Sequence, residues 1–127
     1  MERVLERFAP QLYALMRIVV GLLFACHGAQ KLFGLLGGQQ MPLVSKFGLA
    51  GVIEFFGGLM IALGFLTSPA AFIASGEMAY AYFTMHRPKG NVPIQNGGEL
   101  AVLYCFVFLY IAARGVGAWG IDKRTRI

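Results

Sequence analysis

Charged side chains are scarce in this chain of 127 residues: Asp, Glu, Lys and Arg together make up 13%, whereas 57% of the residues are hydrophobic. A small soluble domain needs a larger charged fraction, so the composition excludes that class and indicates a membrane protein. Low-complexity tracts are also absent from the sequence. We therefore expect one domain, residues 1–127, embedded in the lipid bilayer.

Proline occurs only five times, and together with glycine it separates four apolar segments. The predicted membrane spans lie near 12–33, 48–66, 70–87 and 97–117. A helix needs about 20 mainly apolar residues to cross the hydrocarbon core, so each segment is long enough for one crossing. The link at 67–69 is very short, which makes the second and third spans antiparallel neighbours. The predicted fold class is all-α, a membrane four-helix up-and-down bundle.

A cleavable signal pattern is missing, because residues 1–11 carry acidic as well as basic side chains and the first apolar segment exceeds signal-peptide length. We therefore expect the first span to remain in the mature protein.

The net charge of +5 bears on membrane orientation rather than on nucleic acid, and we expect no nucleic-acid partner. With both termini on one side, the positive-inside rule compares the basic residues of the two sides. The terminal side holds six, the other four: Arg3, Arg7, Arg114, Lys123, Arg124 and Arg126 against Lys31, Lys46, Arg87 and Lys89. Both termini are therefore predicted to be cytoplasmic.

Ionisable residues are rare inside the apolar segments, and each one is a functional-site candidate because burying a charge in lipid is costly. The candidates are Arg17, His27, Lys31, Glu54, Glu77, His86 and Glu99. In an up-and-down bundle the first and third helices end on the side where the second and fourth begin. This topology predicts an outer cluster of His27, Lys31, Glu54 and Glu99, with His86 at its edge. Deeper in the membrane, it predicts a structural ion pair between Arg17 and Glu77.

A metal site is disfavoured, because the Glu-x-x-His spacing of di-iron bundles is absent and nearby basic side chains oppose a cation. We predict no metal ligand. A haem between His27 and His86 would rest on two residues near helix ends. Phosphate-binding glycine loops and Ser/His/Asp nucleophile arrangements are absent too, so nucleotide and hydrolase chemistry have no support.

Quinone binding fits the outer cluster better, because a quinone headgroup needs an apolar, aromatic-lined slot with a few hydrogen-bond donors and a proton carrier. The predicted cofactor-binding residues are His27, Lys31 and His86, and the predicted catalytic proton carriers are Glu54 and Glu99. A purely structural ion-pair network remains the alternative interpretation of the same charges.

Several motifs resemble the DoxX family of small bacterial membrane proteins across nearly the whole chain: Arg17 with Gly21, GAQKLFG, GVIEFFGGLMIALGF, NGGELAVLY and GVGAWGID. The resemblance implies a four-helix protein of the bacterial inner membrane. It marks the positions that match the family pattern as Arg17, Lys31, Glu54, Glu99 and Asp122. One departure is visible, since Gly120 stands where the family's tail often has serine.

The resemblance also implies a redox role. Some members of the family are linked to thiosulfate oxidation with quinone as acceptor, and others to membrane oxidoreductase complexes that handle thiol or oxidative stress. Two functions therefore stay open for this chain. One is a quinone-interacting subunit of a membrane oxidoreductase complex; the other is a non-catalytic membrane partner or small permeation protein. We expect other redox subunits, or further copies of the chain, as partners.

Only two cysteines occur, Cys26 and Cys105, and each lies well inside a predicted span. A disulfide or thiol relay between them is one interpretation. The other, favoured by the usual behaviour of free cysteine, is that both are small buried apolar groups.

Overall fold

A computed structural model describes residues 1–123, and over this range the chain forms helices, turns and loops but no strand. The predicted all-α class is confirmed. The elements are α1 (Glu2–Glu6), α2 (Ala9–Phe33), α3 (Lys46–Leu63), α4 (Thr67–Ala81), a π-helical turn (Tyr82–His86), a 3-10 turn (Arg87–Lys89), α5 (Pro93–Asn96) and α6 (Glu99–Arg114). Arg124 and Arg126, which the orientation argument counted, lie outside the described residues.

Local sequence signals explain where the two longest helices begin and end. A proline in the first turn of α2 sets the helical backbone, and Gly34 ends the helix in the left-handed conformation with φ of 67°. The Ser45 hydroxyl accepts a hydrogen bond from Gly48 N–H at 3.0 Å and so caps α3. Gly64 ends α3 with φ of 72°, which glycine adopts without strain.

Helices α2 and α3 pack closely because glycines face each other across the interface. A methyl group built on Gly28 would overlap the backbone of Phe55, and one built on Gly58 would lie 2.5 Å from Ala25 N. Small residues of this kind let transmembrane helices approach backbone to backbone. Gly58 therefore lies in the packed interface, whereas a methyl group on Gly57 would meet no atom within 4 Å.

A core of buried side chains joins α4 and α6 to this helix pair. Phe24 of α2 packs against Phe108 of α6 with ring centroids 4.7 Å apart. The Ser75 hydroxyl of α4 donates a hydrogen bond of 2.7 Å to the Cys105 carbonyl of α6. Alanines on α4 leave room for α6 to come close, and they are Ala70, Ala71 and Ala74.

The outer faces of the helices are apolar. Exposed leucine, valine, isoleucine and phenylalanine side chains follow α2, α4 and α6, and they include Leu15, Val19, Leu22, Phe72, Ile73, Leu103 and Phe106. Among the described residues, Ala9–Phe33 and Lys46–Leu63 are both long enough and apolar enough to cross a membrane. An apolar exterior around a packed interior is the arrangement expected of a protein dissolved in lipid.

Arg17 is fully buried, and its guanidinium ties α2 to the end of α3 and to the C-terminal segment. It donates to the Ile61 and Ala62 carbonyls at 2.7 and 2.9 Å and to the Ala118 and Trp119 carbonyls at 3.0 and 2.8 Å. The last carbonyls of a helix lack partners within it and form the negative end of the helix dipole, so a cation is favoured there.

The predicted ion pair between Arg17 and Glu77 is not formed. Arg17 lies level with Ile61 at the end of α3, and therefore near the start of α4 at Thr67. Glu77 is ~15 Å further along α4, given a rise of 1.5 Å per residue. The guanidinium instead satisfies carbonyls, and Glu77 lies deeper in the molecule beside Glu54.

The segment that follows α6 folds back over the connection between α3 and α4. Ile121 N–H donates to the Leu63 carbonyl at 3.1 Å, and Asp122 N–H donates to the Gly64 carbonyl at 2.8 Å. The close approach requires glycine at 120, because a methyl group there would overlap the side chain of Val116. The motif GVGAWGID thus forms a clasp, residues 115–122, at the end of the molecule that holds the α3–α4 link.

Candidate functional site

A cavity of about 570 Å³ lies between α2, α3, α4 and α6, at the end of the molecule opposite the clasp. Most of its wall is apolar or aromatic, with Phe24, Phe47, Ile53, Met78, Met85 and Tyr104 among the lining residues. Its ionisable lining residues are His27, Lys31, Lys46, Glu54, Glu77, His86 and Lys89, together with the tyrosines Tyr80 and Tyr104. A cavity of this size with a few polar groups is typical of a small-molecule site.

An ion pair between Lys31 and Glu54 joins α2 to α3 at the cavity. The Lys31 ammonium nitrogen lies 2.7 Å from both carboxylate oxygens of Glu54. Glu54 is 1% exposed and Lys31 is 29% exposed, so the ammonium reaches the buried carboxylate from the open side. Gly51 makes this approach feasible, because a methyl group there would lie 2.9 Å from the Cβ atom of Lys31.

Glu77 brings a second carboxyl group to this ion pair from α4. It lies at hydrogen-bonding range of the Glu54 carboxyl and close enough to Lys31 for electrostatic interaction. Its Oε1 atom is buried and accepts no hydrogen bond from any described residue. Lys31, Glu54 and Glu77, which we call the triad, therefore combine two carboxyl groups with one ammonium group.

His27 stands one helical turn before Lys31 on α2. Its imidazole meets the Tyr104 ring edge-on, with centroids 6.0 Å apart. Tyr104 in turn stacks on Phe108 at 5.4 Å, which fixes the aromatic wall next to the triad. No described residue hydrogen-bonds to the His27 ring nitrogens or to the Tyr104 hydroxyl, so these groups are available to a ligand.

His86 lines the cavity further from the triad, at the end of the π-helical turn. Its Nδ1 atom lies 3.3 Å from the Asn96 carbonyl oxygen, and its ring stacks on Tyr82 at 6.4 Å. The Asn96 side chain is buried and donates to the Tyr82 hydroxyl and to the Gly90 carbonyl. This network holds the loop between the 3-10 turn and α6 against the cavity, and π-helical turns are frequent at functional sites.

Glu99 does not join the predicted outer cluster. It is exposed in the first turn of α6 and does not line the cavity. The residues of this region that do line it are Gly97, Leu100, Ala101 and Tyr104, which follow helical spacing. Glu99 falls outside that periodic face, and its carboxyl group lies at the helix N-terminus, where the dipole favours negative charge.

Lys46 lies at the edge of the cavity, where it reaches from α3 toward α4. Its ammonium nitrogen is 5.7 Å from the centroid of the Tyr80 ring, a cation–π contact. Lys89 also lines the cavity, so its outer part carries two basic groups.

Residues 1–123 hold neither a cluster of metal ligands nor a disulfide. These residues contain no group of three or more His, Cys, Asp or Glu side chains placed to hold a metal ion. Cys26 and Cys105 are both free thiols. Cys26 is exposed on α2, whereas the Cys105 sulfur lies 3.5 Å from the Ser75 hydroxyl.

Glu77 lies at the cavity and not in the inner ion pair predicted from the sequence. A signal was present: Glu54 precedes the α3–α4 link by about ten residues and Glu77 follows it by about ten. In an antiparallel helix pair, residues equidistant from the link lie at the same level.

Comparison with known proteins gives matches along most of the chain. The model of the DoxX family matches residues 12–87. An uncharacterized protein of Haemophilus influenzae is 44% identical over 127 residues, which cover 94% of this chain and 95% of that one. The inner membrane protein YqjF of Escherichia coli is 31% identical over 124 residues, covering 84% and 86% of the two chains. No solved structure matches the chain significantly.

Proposed function

Because the chain belongs to the DoxX family of membrane proteins, we propose that it is a quinone-interacting subunit of a membrane oxidoreductase complex. The observation that carries the proposal is the cavity of about 570 Å³, which combines an aromatic wall with the triad. A lipid-soluble headgroup with two carbonyl oxygens suits this combination of apolar surface and few donors.

We further propose that four helices cross the bacterial inner membrane in up-and-down order, with both termini cytoplasmic. Helices α2 and α3 already have the length and apolar character for crossing. The third crossing is formed by α4 with the turns that continue it to Lys89, and the fourth by α6. The cavity then lies in the outer half of the membrane.

Three groups are free to hold a quinone headgroup. The Lys31 ammonium carries three protons and uses two contacts on Glu54, so one N–H remains for a carbonyl oxygen. His27 and Tyr104 present a ring nitrogen and a hydroxyl, and no described residue hydrogen-bonds to either. A bound quinone would supply two-electron, two-proton redox chemistry, and the carboxyl groups of Glu54 and Glu77 stand beside it as proton carriers.

The first test is extraction. The full chain, purified in mild detergent, is extracted with organic solvent and assayed for quinone, and its oxidised and reduced visible spectra are recorded. We expect near-stoichiometric quinone. A His27→Phe variant should retain less quinone than the wild-type protein, whereas a Cys26→Ala variant, changed at the neighbouring exposed position, should retain as much. Absence of both quinone and chromophore from the wild-type protein would contradict the proposal.

Partners are expected because a chain of this size has little interior for a complete electron pathway. We propose that other redox subunits, membrane-bound or soluble, or further copies of the chain, complete it. Crosslinking in native membranes should capture such assemblies, and recovery of monomers alone would count against them.

A scaffold or permeation role without catalysis is the second candidate, and the Lys31–Glu54 contact favours it. Both carboxylate oxygens bind one ammonium, which is the geometry of a structural tie between α2 and α3. Glu54→Gln separates the two functions. Quinone binding should fall while the fold persists if the site is functional, whereas unfolding of every charge variant would favour the scaffold.

A further inference from the structure

The triad has an unbalanced charge for its position inside the molecule. Lys31, Glu54 and Glu77 come from three different helices and meet at the cavity wall. The other ionisable groups of the cavity are His27 on α2, Lys46 on α3, Tyr80 on α4, His86 on the π-helical turn, Lys89, and Tyr104 on α6. Of these, Lys46, His86 and Lys89 lie ~12 Å or more along their helices from Glu54 or Glu77. His27 lies one helical turn from Lys31 and meets the Tyr104 ring, so among the described residues Lys31 is the one ammonium group beside the two carboxyl groups.

The hydrogen bonds of the triad leave one acceptor without a donor. Lys31 donates to both oxygens of Glu54, which are thereby satisfied. Glu77 faces Glu54, yet its buried Oε1 atom accepts no hydrogen bond from any described residue. Two ionised carboxylates in contact would repel each other, and an ionised group without a partner is costly to bury.

A single additional proton removes the repulsion between the two carboxylates and supplies the missing hydrogen-bond donor. If Glu54 and Glu77 hold one proton between them, the contact becomes a hydrogen bond between an acid and a carboxylate. Lys31 then balances the one remaining negative charge. We propose that Glu54 and Glu77 share one exchangeable proton, and that Glu77 is the residue that delivers it to a ligand in the cavity.

The delivery step is a simple proton transfer. The O–H bond of the Glu77 acid breaks, an O–H bond forms on a basic oxygen of the ligand, and the carboxylate left behind is stabilised by Lys31. Delivery to a quinone rests on the proposed function, whereas the shared proton is a property of the ligand-free protein.

Infrared spectroscopy of the full chain, freed of ligand and reconstituted in lipid vesicles at neutral pH, tests the shared proton. The wild-type protein should show the carbonyl stretching band of a buried protonated carboxyl group, shifted by hydrogen–deuterium exchange. Glu77→Gln should remove the band, because Glu54 then pairs with Lys31 alone. Glu54→Gln should remove it too, because Glu77 is then the only carboxyl group beside Lys31.

Glu99→Gln is the matched control and should keep the band, since Glu99 is exposed and outside the cavity. Circular dichroism confirms that each variant is folded. Absence of the band from the wild-type protein would overturn the proposal. So would its persistence in Glu54→Gln, which would mean that Glu77 holds a proton by itself. These outcomes are read without quinone and are therefore separate from failure of the extraction test.

Delivery is tested by adding a short-chain quinone in reduced and oxidised form to the same vesicles. The band should change between the two forms in the wild-type protein, and an unchanged band in the presence of bound quinone would overturn the role of Glu77 in delivery.

Discussion

The Asp122 carboxylate lies 2.9 Å from both the backbone nitrogen and the hydroxyl oxygen of Thr67, and it caps the first turn of α4. A third hydrogen bond of 2.9 Å comes from Leu66 N–H. Through these contacts the C-terminal clasp is fastened to the α3–α4 link, at the same end of the molecule where Arg17 binds the carbonyls of α3 and the clasp. The clasp therefore fixes how α2, α3 and α4 are placed, and with them the cavity.

Removal of this cap should destabilise the protein. We predict that Asp122→Ala lowers the free energy of unfolding by about 1 kcal/mol, the usual cost of losing an N-terminal helix cap. Asp122→Asn, which keeps one acceptor oxygen, should lose less. Unfolding in detergent, followed by circular dichroism, measures the difference, and Asp122→Ala as stable as the wild-type protein at neutral pH would contradict the cap.

The cap should also depend on pH. Hydrogen bonds from Thr67 N–H, and then from Leu66 N–H and the Thr67 hydroxyl, hold the pKa of Asp122 below its usual value. The ionised form is thus favoured in the folded protein. The contribution of Asp122 to the free energy of unfolding is fully present above its pKa in the unfolded chain, about 3.9. This contribution is lost as pH falls through the lower pKa of the folded protein. The stability gap between the wild-type protein and Asp122→Asn should therefore shrink in acid.

The close packing of α2 on α3 leads to a prediction about the glycines of α3. Gly58→Ala should destabilise the protein, because the added methyl group would lie 2.5 Å from the backbone of α2 at Ala25 N and Gly21 O. Overpacking of this kind typically costs 1–3 kcal/mol, about what we expect here. Gly57→Ala is the neighbouring control and should be neutral or slightly stabilising, since it meets nothing within 4 Å and alanine favours helix. Equal stability of the two variants would contradict the packing.

Much of the fold follows from the sequence in physical terms. Apolar length and the proline and glycine breaks predict the helices, because a lipid-embedded backbone must satisfy its own hydrogen bonds. The clasp could not be predicted in this way. Its hydrogen bonds join Asp122 to Leu66 and Thr67 across most of the chain, and neither apolar periodicity nor turn signals report such a long-range contact.

Arg17 should also be important for stability, at the end of the molecule that holds the clasp. Arg17→Met should lower the free energy of unfolding by about 3 kcal/mol or more, because it removes four hydrogen bonds from a charged donor, two of them buried. Arg17→Lys should recover only part of the loss, since a lysine lacks the planar fork that reaches α3 and the clasp together. Arg7→Lys, at an exposed position, is the control. Full stability of Arg17→Lys would show that charge alone suffices.

The candidate site was predictable only in part. His27, Lys31 and His86 line the cavity, as does Glu54, because charged residues in apolar segments turn inward. Glu77 occupies the place in the cluster that was predicted for Glu99, and Glu99 is exposed outside the cavity. The height of a side chain along the bundle depends on the residues at which the α3–α4 link and α6 begin. An error of a few residues in these boundaries moves a side chain by a full helical turn. Element boundaries are the least certain part of a sequence-based prediction.

The Lys31–Glu54 pair allows a rescue experiment. Lys31→Met should lower the free energy of unfolding by about 3–5 kcal/mol, the cost of leaving a buried carboxylate without its partner. The double variant Lys31→Met with Glu54→Gln should recover much of that loss, because Glu77 is then the one carboxyl group left at the site and, when protonated, leaves no buried charge. Lys46→Met, at the exposed edge of the cavity, should have little effect. Unfolding measurements on the wild-type protein and the three variants give these free energies. A double variant no more stable than Lys31→Met would contradict the energetic coupling between Lys31 and Glu54.

The two histidines of the cavity should behave differently, because only one of them is already engaged. The ring nitrogens of His27 have no hydrogen-bond partner among the described residues, whereas His86 Nδ1 lies 3.3 Å from the Asn96 carbonyl oxygen. His27→Phe keeps the ring contact with Tyr104 but removes the donor, and a neutral hydrogen bond contributes about 1 kcal/mol. We therefore predict that it weakens binding of a short-chain quinone roughly fivefold without loss of stability.

His86→Phe should instead loosen the loop that Asn96 organises, and so lower stability more than affinity. Binding titrations paired with unfolding curves separate the two effects, and identical behaviour of the two variants would contradict this division of roles.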